Sequence, residues 1–114
     1  MALDTASFDW NRTQRVLGLS WREVAAMLDT TERSLYRWKA GAVEPNPAHL
    51  RRLRALQDLT GLLDRFFGSR EEVRSWLAAP VPALGGRPPI ELLRRGRVEE
   101  VQEVLGRLAY GVYA

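Results

Sequence analysis

Two arginines four residues apart, Arg33 and Arg37, lie in the segment Glu32-Arg33-Ser34-Leu35-Tyr36-Arg37-Trp38-Lys39. A guanidinium donates two parallel hydrogen bonds to guanine O6 and N7, or grips phosphate, and a spacing of four sets two of them on one side of a helix. On a helical wheel centred on Leu35, Arg33, Tyr36, Arg37 and Ala40 fall on the outer side and Thr31 and Trp38 on the inner one. Arg33 and Arg37 are therefore the candidate base readers. Ser34 and Tyr36 can reach phosphate or a base edge, and Lys39 at the helix end suits the phosphate backbone. Thr31 and Glu32 open the same helix and complete the DNA-binding set.

A second candidate set is Tyr110, Gly111, Val112, Tyr113 and Ala114. Gly111 lets the chain leave a helix, after which Val112, Tyr113 and Ala114 with a free carboxylate form a small amphipathic plug for a concave site. Tyrosine supplies much contact area with few rotors. The plain alternative is a frayed terminus.

Catalysis has little to work with. There is no cysteine, and the single histidine, His49, has no serine or acid at a relay spacing. The acids Glu71-Glu72 and Glu99-Glu100-Glu103 lie on helices whose other faces are apolar, which reads as solvated surface. Gly85-Gly86 follows no strand and reads as a linker. The expectation is a protein that is not an enzyme, with no cofactor and no metal.

The 114 residues make one small domain or two very small ones. They are 46% apolar and 27% charged, an ordinary globular balance. A chain of this size hides only about 65% of its extended surface, so self-association is expected. The net charge is only +3, but Thr30 to Arg54 holds six basic and two acidic residues and so carries +4. A positive field focused on one short segment fits a phosphate-bearing partner. The absence of cysteine fits a reducing compartment, and Ser75 to Gly86, the longest uncharged stretch, is broken by Pro80 and Pro82. No membrane association and a cytoplasmic location are expected.

Apolar spacings of three and four run throughout, so the fold class is all-α. A first helix runs from about Phe8 to Leu17 and stops at Gly18. Ser20 with Glu23 forms a capping box that opens a helix to about Leu28. Asp29-Thr30-Thr31 then makes a turn and a new cap for the helix ending at Gly41. Ala25 is small where the second helix would cross the first, with Val24, Leu28, Leu35 and Trp38 buried: this is the pattern of a helix-turn-helix. The turn often has glycine where this chain has Asp29, although aspartate tolerates left-handed geometry. A long helix from His49 to Phe67 carries Leu50, Leu53, Leu56, Leu59, Leu63 and Phe66 as its stripe. Consecutive Phe66 and Phe67 cannot both face one core, so one meets the last helices or a second subunit. Ser69 with Glu72 caps a helix carrying Val73, Trp76 and Leu77. After Pro88-Pro89 come a short helix to Gly96 and a last one with the stripe Val98, Val101, Leu105, Leu108 and Val112.

The segment LGLSWREVAAMLDTTERSLYRWKAG resembles the Xre-type helix-turn-helix of bacterial regulators. The stretch RPPIELLRRGRVEEVQEVLGRLAYGVYA is similar to the C-terminal half of the Xre/MbcA/ParS antitoxin family, through Pro89, Glu91, Leu92, Leu93 and Gly96 and then Tyr110, Gly111 and Tyr113. The resemblance implies an N-terminal DNA-binding unit (residues 1–45) and a helical dimerisation and toxin-binding region (residues 46–114). It also implies a RES-domain toxin as partner, an NAD-consuming enzyme blocked by the C-terminal region, with operator DNA as a second partner and a homodimer as the state. A stand-alone Xre-like regulator whose C-terminal half only dimerises is the alternative, as is an interaction module that has lost DNA binding.

Overall fold

The first five helices each open on a side-chain hydrogen bond to a free backbone N–H. The computed structural model describes residues 8–111 of the chain. Helix α1 (Trp10–Leu17) is capped by Asp9, whose carboxylate accepts from the Arg12 N–H at 2.9 Å, and ends at Gly18 with φ +67°. Helix α2 (Trp21–Met27) begins with the expected capping box: Ser20 Oγ accepts from Glu23 N–H at 3.2 Å and Glu23 Oε1 from Ser20 N–H at 3.3 Å. Helix α3 (Glu32–Lys39) is capped by Thr31 through the Ser34 N–H at 3.1 Å. Between them Asp29 takes φ +55°, the left-handed geometry that the glycine of other such turns adopts.

The central helix α4 (Pro47–Phe66) starts two residues before the expected His49. Asn46 accepts from the His49 N–H at 2.8 Å, and Pro47 fills the first helical position, where its missing N–H removes nothing. Helix α5 (Arg70–Ala78) is capped by Ser69, but the reciprocal arm reaches one residue further out than expected: Glu72 Oε2 accepts from the Gly68 N–H at 2.8 Å. Gly85-Gly86 is an ordered turn rather than a linker. Both glycines are left-handed, the Val81 N–H donates to the Arg87 carbonyl at 3.2 Å, and a single 3₁₀ turn (Pro82–Leu84) precedes them. Helices α6 (Pro89–Arg94) and α7 (Val98–Ala109) follow, so the regular secondary structure of the described residues is helical throughout, apart from one isolated bridge.

The core is one connected cluster from Phe8 to Leu105. α4 lies at its centre with α7 on one flank and α1 on another; α5 packs on α1 and α6, and α6 bridges α7 to α2. Leu53, Leu56, Leu59 and Leu63 are fully buried, and Thr60 is tolerated among them because its hydroxyl donates to the Leu56 carbonyl at 2.7 Å. Two stripe expectations shift. Leu50 is only half-buried and Phe66 is 51% exposed, while Phe67 is the aromatic that turns inward, its ring 5.9 Å from that of Trp76. On α7, Val104 takes the core position expected for Leu108, which is 39% exposed. No helix among the described residues is long and apolar enough to cross a membrane.

These burials set a contrast that urea unfolding followed by circular dichroism measures. Leu59→Ala leaves a cavity at the centre of α4 and should cost about 2–5 kcal/mol. Phe66→Ala removes an exposed ring and should stay within about 0.5 kcal/mol. Equal losses from the two substitutions would contradict this packing.

Candidate functional site

The outer face of α3 is held outward by what its inner face buries. Leu35 and Trp38 are in the core, and the Trp38 ring lies 4.9 Å from that of His49 on α4. The turn before α3 is clamped from α4 as well. His49 Nε2 donates to the Asp29 carbonyl at 3.1 Å, and Arg52 Nη1 pairs with the Asp29 carboxylate at 3.1 Å. Gly96, in the left-handed elbow between α6 and α7, lies against the same place: a Cβ there would be 3.7 Å from both the Met27 carbonyl and the Arg52 guanidinium. The elbow's glycine is thus required by φ and sits where α2, α4 and α6 converge. Arg94 to Glu23, at 3.7 Å, adds a second link from α6 to α2.

With that support, Glu32, Arg33, Tyr36 and Arg37 are all exposed, and with Ala40 and Ala42 they line an open depression of about 470 Å³. Neither Arg33 nor Arg37 has a carboxylate partner among the described residues, so both charges are available to an outside anion. Ala40 and Ala42 make part of this depression apolar. Three residues of the expected set have intramolecular engagements. Thr31, placed inward by the wheel, is exposed; it serves as the cap, and its hydroxyl also donates to Ser34 Oγ at 3.1 Å. Lys39 is drawn back over the Trp21 ring, its Nζ 3.5 Å from the ring centroid and 5.5 Å from that of Tyr36. Burial lowers its pKa from the ordinary lysine value, since desolvation penalises the ammonium. The lysine thereby ties the end of α3 to the start of α2.

The second candidate set is at the opposite end of the chain. Tyr110 terminates α7 and is 71% exposed, and Gly111 follows with φ +67°, the left-handed exit expected of it. Val112, Tyr113 and Ala114 lie outside the described residues. Beside Tyr110, Leu62, Arg65, Phe66 and Ala109 line an apolar depression of about 190 Å³. Sequence reasoning placed Phe66 in the stripe of the long helix and as one of two consecutive aromatics with competing demands. It passed over Gly61, whose signal was a glycine within a helical pattern, at a cost of about 1 kcal/mol relative to alanine.

A family model for the antitoxin Xre/MbcA/ParS C-terminal toxin-binding domain matches residues 62–111. Over 97 residues the chain is 32% identical to the mycobacterial cidal antitoxin MbcA of Mycobacterium bovis and of Mycobacterium tuberculosis, covering 85% of this chain and 85% of the relative. It is also 31% identical over 96 residues to a probable mycobacterial cidal antitoxin of Mycobacterium tuberculosis, covering 84% of this chain and 81% of that one. The fold is similar to a chain of the crystal structure of the M. tuberculosis MbcT-MbcA toxin-antitoxin complex. There the TM-score is 0.64 at 30% identity, covering 91% of this chain and 93% of the other.

Lys39 is the chain's only lysine, so its titration can be followed by NMR without overlap. Its midpoint should lie below that of a free lysine. The unfolded chain then binds this proton more tightly than the folded one, so stability should rise with pH between the lowered midpoint and the ordinary one. A midpoint at or above the ordinary value would mean that the ammonium is not desolvated over Trp21.

Proposed function

The chain belongs to the Xre/MbcA/ParS antitoxin family, and from that we propose that it neutralises a RES-domain toxin and represses its own operon. The observation that carries the reading is the similarity to an antitoxin over 85% of both chains, spanning the arginine-bearing helix as well as the matched toxin-binding region. As in the crystallised MbcT-MbcA pair, the partner is a toxin. Neutralisation is occlusion. The segment Tyr110 to Ala114 enters or covers the toxin's NAD-binding cleft, and this chain performs no chemistry. The exposure of Tyr110 and the helix exit at Gly111 support that assignment.

Repression is occupation of the major groove by α3, with α2 and α3 as a helix-turn-helix. Arg33 and Arg37 read base edges, Tyr36 and Ser34 reach phosphate or a base edge, and Thr31, Glu32 and Lys39 border the same face. The unpaired charges of Arg33 and Arg37 and the clamped Asp29 turn support this. Residues 1–45 then serve DNA and residues 46–114 serve the toxin and a second copy. Two copies are needed to fill two half-sites one DNA turn apart. The site of action is the cytoplasm.

Co-expression with the product of the adjacent reading frame, purified through an N-terminal tag on this chain, tests the reading. NAD consumption should be silent in the complex and appear once this chain is stripped away; a partner equally active when bound would overturn it. Deleting residues 111–114 should release toxin activity while operator binding persists. Arg33→Ala with Arg37→Ala should do the reverse, weakening operator binding and lowering its salt slope by about 0.9 for each phosphate no longer neutralised. Unchanged operator affinity in that double variant would remove α3 from the DNA interface.

A further inference from the structure

In the turn between α2 and α3, Asp29 stands at a position that glycine fills best. The end of α2 closes as a Schellman motif: the Thr30 N–H donates to the Ala25 carbonyl at 2.9 Å and the Asp29 N–H to the Ala26 carbonyl at 3.0 Å, with Asp29 itself at φ +55°. Among the described residues it is the only one other than glycine with a positive φ. Glycine takes that conformation without the clash that a Cβ makes with the backbone, so the turn would close at least as well with it. The aspartate is exposed and fills no space in the core. What it adds is its carboxylate, whose partner among the described residues is Arg52 Nη1 of α4 at 3.1 Å.

The same short stretch of α4 holds α3 at two further points. His49, three residues before Arg52, donates from Nε2 to the Asp29 carbonyl at 3.1 Å, and its ring lies 4.9 Å from that of Trp38 on the inner side of α3. Two residues of α4 thus fix the turn at its carbonyl and its carboxylate, and the helix that follows it at Trp38. Arg52 is backed in turn: its side chain is only 32% exposed, and Nη1 lies 3.7 Å from where Gly96 would carry a Cβ. This guanidinium is occupied within the chain, unlike those of Arg33 and Arg37.

We propose that Asp29, His49 and Arg52 are positioning residues for the reading of DNA by α3. They touch no nucleic acid and set the angle at which Arg33, Tyr36 and Arg37 meet the groove, so the DNA-reading unit extends past residue 45 into the first turns of α4. The proposal rests on the DNA binding proposed above. Two parallel hydrogen bonds to one guanine edge tolerate little rotation of the helix that carries them, whereas attraction to phosphate survives it. Loss of the clamp therefore acts on operator recognition more than on binding to random sequence.

Affinities of the full chain for operator and for random DNA, measured at several salt concentrations, test this, with the urea midpoint and far-UV circular dichroism as controls for folding. Asp29→Gly removes the carboxylate from a turn that stays intact, and Arg52→Met removes the guanidinium while keeping the apolar stem. On charge alone the first would strengthen DNA binding and the second would weaken it. Loss of the clamp weakens operator binding in both, by about tenfold, and the double variant should lose no more than either single one because a single interaction is removed. Arg52→Lys, which keeps a cation for Asp29, should recover part of the loss. Unchanged or tighter operator binding by Asp29→Gly, additive losses in the double variant, or a salt slope lowered by about 0.9 in Arg52→Met, as for a lost phosphate contact, would each overturn the proposal. So would loss of toxin inhibition with operator binding intact, which would assign Arg52 to the toxin. Amide hydrogen exchange needs no DNA: in Asp29→Gly the amides of α3 should exchange faster than in wild type while those of α7 do not change. An α3 that does not respond would remove the clamp. A wild-type chain that binds no operator yet shows this response would refute the DNA reading and leave the clamp as the anchor of α3.

Discussion

Burial of α4 is the constraint on which the other helices depend. Seven of its twenty residues are buried, and no neighbouring helix is longer than the twelve residues of α7. Helices of six to twelve residues are marginal in water, so each is stable only through the apolar face it lays on the cluster around α4. Because α1, α6 and α7 all lean on the same cluster, the two ends of the chain share one core. The face bearing Arg33 and Arg37 and the exit at Tyr110 are separate surfaces on a common support.

That support is most concentrated at Asp29. A left-handed aspartate is held by a hydrogen bond from His49 to its carbonyl and an ion pair to Arg52, with Gly96 packed beside them. Left-handed geometry is costly for a residue with a Cβ and persists where surrounding contacts fix it. The ion pair is half in solvent and contributes little by itself. Its consequence is geometric: the angle at which α3 leaves the turn is set by residues of α4 and by the elbow before α7. A Cβ at Gly96 would find ordinary contact distances there, so the glycine is required by its left-handed φ rather than by space.

Charged side chains are paired in some places and left open to solvent in others. Several arginines outside α3 are neutralised within the chain, as in Arg12 with Asp64, Arg97 with Glu100 and Arg95 with Glu91. Among the described residues Arg33 and Arg37 have no oppositely charged partner, nor do Asp58 and Arg65 on the long helix. Exposed pairs of this kind add little stability.

The sequence by itself determined the helices and where they stop, because capping is local: Asp9, Ser20, Thr31 and Ser69 each accept from an N–H three residues on, and the arginine face of α3 follows from a period of 3.6. The glycine exits at Gly18 and Gly111 were legible for the same reason. Tertiary structure decided which of several apolar residues on a helix faces inward. Phe67 rather than Phe66 and Val104 rather than Leu108 are buried because neighbouring helices cover an arc wider than a simple stripe, and its centre depends on where those helices pack. It also decided that Lys39 folds over Trp21 and that Gly61 opens onto a groove between α1 and α7, since both depend on contacts between elements that no local spacing encodes.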